Sequence, residues 1–198
     1  MKVILVIILF SLFELFNLDF EEDHKYGLEF FLKNPIAVMI MGSVVAPLLE
    51  ESQFRLPLSK KRNALILPFF ISLIMVIVKS LDNAVWIETL VYTSYLIFLL
   101  TCFTFHKKYV LKPKIAIFTT TIFFSLVHVF SYELHEPSFA THLLTLLAVS
   151  PQFIGGLMLA YIRIKFGFWY GVLFHGIWNF LIVSFILIPL VLFEESLL

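Results

Sequence analysis

Residues 35–55 read PIAVMIMGSVVAPLLEESQFR. The run stays apolar or small as far as Leu49, and then Glu50, Glu51 and Arg55 follow together. An ionisable group at the centre of a membrane helix costs ~2.5–3.5 kcal/mol on insertion scales, so such groups persist there only with a partner or a task. Arg55 stands four residues after Glu51, on the same helix face and within pairing reach. Glu50 is turned away from Glu51 by about 100°. The spacing therefore predicts a structural ion pair, Glu51–Arg55. It sets apart a second carboxylate, Glu50, whose partial desolvation beside a like charge suits a general base. The plainer alternative, a helix ending at the membrane surface, fits poorly. Lys60 lies ten residues on, which leaves Glu50 ~15 Å from the next basic charges.

The rest of the chain explains why a membrane is the right setting. Of its 198 residues 61% are hydrophobic, 24 are phenylalanine and 14% are charged, against about 25% charged in an average soluble protein. That composition excludes a soluble domain and predicts an all-α polytopic membrane protein, a single domain with almost nothing outside the bilayer. About seven spans are expected: 3–16, one opening at Pro35, then 64–78, 85–105, 115–130, 139–163 and 168–193. The first reads as a retained helix, because Glu14 interrupts it and no small-x-small cleavage pattern follows. The acidic stretch 19–33 is a polar loop with room for a short interfacial helix. Pro151 should bend the sixth span or split it in two. Gly155 and Gly156 just after it allow a close neighbour, and Gly167 and Gly171 flank the start of the last span.

Basic residues set the orientation. With Lys2 inside and sides alternating, the inner side collects Arg55, residues 60–62, the four lysines of 107–114, Arg163 and Lys165. The outer side keeps Lys25, Lys33 and Lys79. This asymmetry follows the positive-inside rule and gives an N-in, C-out topology. Cys102 is the only cysteine, so neither an internal disulfide nor a thiolate metal cluster can form. Nothing basic or repetitive suggests nucleic acid as a partner.

Two further polar groups interrupt apolar helices. In the fifth span, Phe124 and His128 share a face at i,i+4. In the last, His175 and Asn179 do the same, with Gly176 thinning the helix between them. A lone histidine in an apolar helix usually serves packing, and a His/Asn pair can be inter-helix glue. The same pair can also present two donors to a developing oxyanion. Counting from the nearest basic segments, His175 lies ~15 Å deep and His128 roughly 20 Å deep, levels comparable to Glu50. Polar side chains at one depth are tolerated around a single wet cavity.

Glu-Glu-x-x-x-Arg at 50–55, Phe-x-x-x-His at 124–128 and His-x-x-x-Asn at 175–179, in that order on separate helices, resemble the CAAX protease and bacteriocin-processing (CPBP, or Abi) family. That family includes the type II CAAX prenyl endopeptidases. The likeness covers about residues 35–182, with the glycine-rich stretch PQFIGGLMLAYIRIKFGFWYGVLFHGIWN leading into the last motif. The resemblance implies an intramembrane endopeptidase in a bacterial inner or plasma membrane, acting on a peptide or protein at or within the bilayer. It implies that Glu50, beside Glu51, activates water, that His128 assists, and that His175 and Asn179 stabilise the oxyanion. Arg55 and Phe124 support them.

Other chemistries compete. Ser125 and Cys102 lack the neighbours of a nucleophile. A zinc version, with one or two carboxylates plus His128 and His175, matches zinc's ligand preferences, although no His-Glu-x-x-His helix is present and the metal-free form is preferred. A non-catalytic immunity or scaffold protein could bind a peptide in the same cavity. A small transporter is disfavoured by the missing repeat symmetry. The segment 131–136, with His142, reads as a solvated loop, and Trp86, Trp169 and Trp178 as candidate interfacial anchors.

Overall fold

The computed structural model describes residues 34–59, 61–81, 86–105, 113–129 and 139–192. The first span with Glu14, the loop 19–33, His106, and the segment 131–136 with the His142 side chain lie outside the described residues. Among the described residues every regular element is helical and there is no strand, as the composition requires. Helix α1 (Pro35–Ile40) passes through a wide π turn (Met41–Val45) into α2 (Ala46–Phe54). Two 3₁₀ turns, Leu56–Leu58 and Arg62–Leu65, lead to α3 (Ile66–Leu81). Then come α4 (Trp86–Thr104), α5 (Pro113–Val129), α6 (Phe139–Phe166) and α7 (Phe168–Leu192).

Four stretches are long and apolar enough to cross a membrane: Pro35–Leu58, Arg62–Leu81, Trp86–Thr104 and Phe168–Ile188; Pro113–Val129 is a shorter apolar helix. Burial runs opposite to that of a water-soluble protein. Phe70 and Ile74 on α3 are 54% and 57% exposed, while Ser72 between them is fully buried. Lipid is as apolar as phenylalanine, so polar groups turn inward, where they can be hydrogen-bonded, and apolar ones face out. Trp86 and Trp169 are also exposed, as interfacial anchors would be.

Of the two outcomes expected at Pro151, a bend or a split, α6 excludes the split. It runs unbroken through Pro151, so the span does not split. Proline removes the N–H that would have met the carbonyl four residues back, that of Leu147. The Ser150 hydroxyl donates to that carbonyl instead, at 2.7 Å. Local hydroxyl repair of this kind is how membrane helices tolerate proline.

Backbone contacts divide the chain into two units, one holding residues 34–48 with 173–192 and the other residues 49–172. In the first, α1 and the π turn run antiparallel to α7. Ser43 meets Gly176, Gly42 meets Asn179 and Val183, and Ser184 Oγ donates to Met39 Sδ at 3.8 Å. In the second, α3 packs on α4 and α5 on α6. Its core is aromatic: Phe54 lies tilted against Tyr95 (5.1 Å between centroids) and edge-on to Phe124 (5.6 Å). Leu65 and Leu99 complete it, and Cys102 packs at its border as a small apolar side chain.

The end of α2 lies within this core, where unmet carbonyls would be costly. Tyr95 Oη donates to Gln53 O at 2.8 Å, and Arg163 Nε reaches Arg55 O at 3.4 Å. The Gln53 amide donates in turn to Ser72 Oγ at 3.1 Å. This chain of bonds fixes the helix end that carries the carboxylates.

Candidate active site

In the larger unit, Glu51 and Arg55 form the predicted pair. Arg55 Nε stands 3.8 Å from Glu51 Oε1, and both side chains are fully buried. The guanidinium carbon lies 4.8 Å from the centroid of the Phe124 ring, so the cation is balanced by a carboxylate along the helix and by an aromatic face across it. Two glycines make room. A Cβ on Gly156 would stand 2.9 Å from Thr121 Cγ2 and 3.1 Å from both Arg55 Nη2 and Phe124 Cδ1. One on Gly171 would stand 2.9 Å from Glu51 Oε2. Any larger residue at either position forces the ion pair to move. Glu50, its neighbour in sequence, is half-buried where Glu51 is buried outright.

Phe124 and His128 share a face of α5, with ring centroids 4.6 Å apart. His128 Nδ1 lies 2.7 Å from Phe124 O. A carbonyl only accepts, so Nδ1 carries the hydrogen in this contact, and in a singly protonated ring the lone pair is then on Nε2. The backbone thereby selects the tautomer in which Nε2 can take a proton.

In the smaller unit, the His175/Asn179 helix is joined to the π turn. The N–H of Ala46 reaches back five residues to Met41 O. Continuing that pattern, the donor for Gly42 O would be residue 47, and Pro47 has no N–H. Asn179 Nδ2 supplies the missing donor at 3.0 Å. One turn earlier, Gly176 lies so close to the π turn that a Cβ there would stand 2.6 Å from Ser43 O. His175 is buried at 7% exposure. One Asn179 N–H is thus used for structure, and the amide nitrogen carries a second.

Residues 32–181 match a family model described as type II CAAX prenyl endopeptidase Rce1-like. The chain belongs to this family. The Rce1-like match covers well over half of the chain, contains all three motifs, and nearly coincides with the stretch 35–182 marked by their resemblance. No curated protein and no solved structure matches the chain. Rce1-like membership makes this an integral membrane protein of the CAAX-type protease class.

Several residues around the motifs escaped the sequence reading. Pro47 was the available signal for the π turn and for a donor supplied to Gly42 from elsewhere. Thr121 and Gln152 carried no signal, because one hydroxyl and one amide in apolar helices resemble any others. Among the described residues no three His, Cys, Asp or Glu side chains gather closely enough to hold a metal ion.

Proposed function

We propose that the chain is a glutamate-dependent intramembrane endopeptidase that hydrolyses a peptide bond of a membrane-associated peptide or protein. The observation that carries this reading is the fully buried Glu51–Arg55 pair seated on Gly156 and Gly171. Breaking such a pair costs about 3–5 kcal/mol, and replacing it whole by apolar residues is often neutral. A buried pair of this kind beside Glu50 is well explained by a need to hold that carboxylate in one place.

Glu50 accepts a proton from water as the water oxygen bonds to the scissile carbonyl carbon, with His128 Nε2 assisting. The carbonyl electrons move to oxygen, and the N–H groups of His175 and Asn179 stabilise that oxyanion. On collapse the C–N bond breaks and the proton passes to the leaving amine, so no covalent enzyme intermediate forms. The site sits in a single integral-membrane domain of about seven spans, N-in and C-out, in a bacterial inner or plasma membrane. The basic residues near Arg62 and Lys165 face the cytoplasm.

Glu50→Gln tests the reading, since it keeps shape and removes the base. Reconstituted protein with a peptide library and mass spectrometry of products should show cleavage by the parent and none by the variant, with equal membrane insertion. Cleavage by the variant would refute the mechanism. Full biological activity of the variant without cleavage would favour a peptide-binding immunity or scaffold role. Activity should survive exhaustive chelation, and restoration by added zinc would favour the metal-dependent form.

A further inference from the structure

The α5–α6 interface holds buried polar atoms that the chemistry above does not use. Thr121 Oγ1, Gln152 Oε1 and Arg55 Nη1 and Nη2 are buried and meet no hydrogen-bond partner among the described residues. Thr121 also differs from other hydroxyls in these helices. Thr93, Thr101, Thr120 and Ser125 each donate to the carbonyl four residues back, whereas Thr121, fully buried, makes no such bond.

Thr121 and Arg55 both border Gly156, where an added Cβ would stand 2.9 Å from Thr121 Cγ2 and 3.1 Å from Arg55 Nη2, and Gln152 precedes Gly156 by one turn on the same face of α6. The guanidinium brings N–H donors, the amide oxygen only accepts, and the threonine hydroxyl does both. None of them hydrogen-bonds to another. Polar groups facing one another across a longer gap are commonly bridged by water, and buried water typically makes about three such bonds. Glu51 already neutralises the Arg55 charge, so a neutral ligand fits this place better than an anion.

We propose that Arg55, Thr121 and Gln152 form a binding site for ordered water between α5 and α6, and that this water is the local store for hydrolysis. The second half rests on the glutamate-protease reading. A hydrolase surrounded by lipid consumes one water per bond cleaved, and the hydrocarbon around it supplies none.

The test uses the full chain reconstituted in lipid nanodiscs. An experimental density map fine enough to show solvent should place water within hydrogen-bond distance of Thr121 Oγ1, Gln152 Oε1 and an Arg55 Nη. Thr121→Val and Gln152→Met, both close in volume to the parent, should lose that density. Their kcat on a cleaved peptide should fall roughly tenfold, about one hydrogen bond's worth, with KM unchanged. Thr121→Ser, which restores the hydroxyl, should recover both, and it remains informative if Gln152→Met fails to fold. Direct bonding among the three side chains, dry packing, or an unchanged kcat after loss of the water would overturn the proposal. If Glu50→Gln still cleaves, the glutamate-base reading falls, whereas occupancy by water is read from the density alone.

Discussion

Gly176→Ala offers the sharpest check on the packing of the His175/Asn179 helix. The new Cβ would stand 2.6 Å from Ser43 O, a backbone atom that cannot swing aside. Carbon–oxygen contacts of this kind settle at about 3.3–3.6 Å, so α7 and the π turn must part by roughly 0.7 Å. The Asn179 Nδ2···Gly42 O distance, 3.0 Å in the parent, then opens to roughly 3.7 Å, beyond hydrogen-bond range. Overpacking costs ~1–3 kcal/mol, and an inter-helix hydrogen bond in a membrane protein is worth about 0.6–1.7 kcal/mol. Together they destabilise by roughly 2–4 kcal/mol. The measurement is reversible unfolding of the purified protein in mixed micelles. Gly42→Ala is the control on the same helix pair, because its Cβ would meet a valine methyl, Val183 Cγ2, at 3.2 Å, and should cost less than ~1 kcal/mol. Asn179→Ala should cost ~1 kcal/mol in the parent and almost nothing once Gly176 is alanine, since the bond is already broken. A Gly176→Ala protein within ~0.5 kcal/mol of the parent, or additive effects of the two changes, would refute this account of the packing.

Arg55→Met should destabilise by ~3–5 kcal/mol in the same unfolding assay, because it leaves the Glu51 carboxylate buried without its cation. Gly156→Ala should cost ~1–3 kcal/mol, as its methyl presses on Thr121, Phe124 and the guanidinium; a neutral result would mean that α5 and α6 are less tightly apposed. Ser150→Ala should cost ~0.5–1.5 kcal/mol by leaving Leu147 O without the hydroxyl that replaces the proline's missing donor. Ser150→Thr, which keeps the hydroxyl, should recover most of that loss.

Local spacing was readable wherever one helix carried both partners. Glu51 with Arg55 and Phe124 with His128 are i,i+4 pairs, and helix geometry alone brings them together. Helix positions were readable too, since long apolar runs have few alternatives in lipid. What escaped depended on backbone groups of one helix meeting side chains of another. Pro47 announced a lost donor but not that Asn179 would replace it. Pro151 appeared as a possible break because the repair by Ser150 is a matter of rotamer rather than periodicity. The depth of burial at Arg55 was invisible for a related reason: Tyr95, Arg163 and Gly156, which enclose it, come from distant parts of the chain.

The inverted arrangement of α3 has a consequence for how the protein tolerates change. Its outward positions, Phe70, Ile74 and Ile77, are more than half exposed and turn toward the side where acyl chains would lie. Saturation mutagenesis there should accept almost any apolar volume and reject charge. At Ser72, which receives the Gln53 amide, one extra methylene should do more harm than exchanging a phenylalanine for leucine two residues away. Ser72, among the smallest side chains of this helix, is the one under the tightest geometric control.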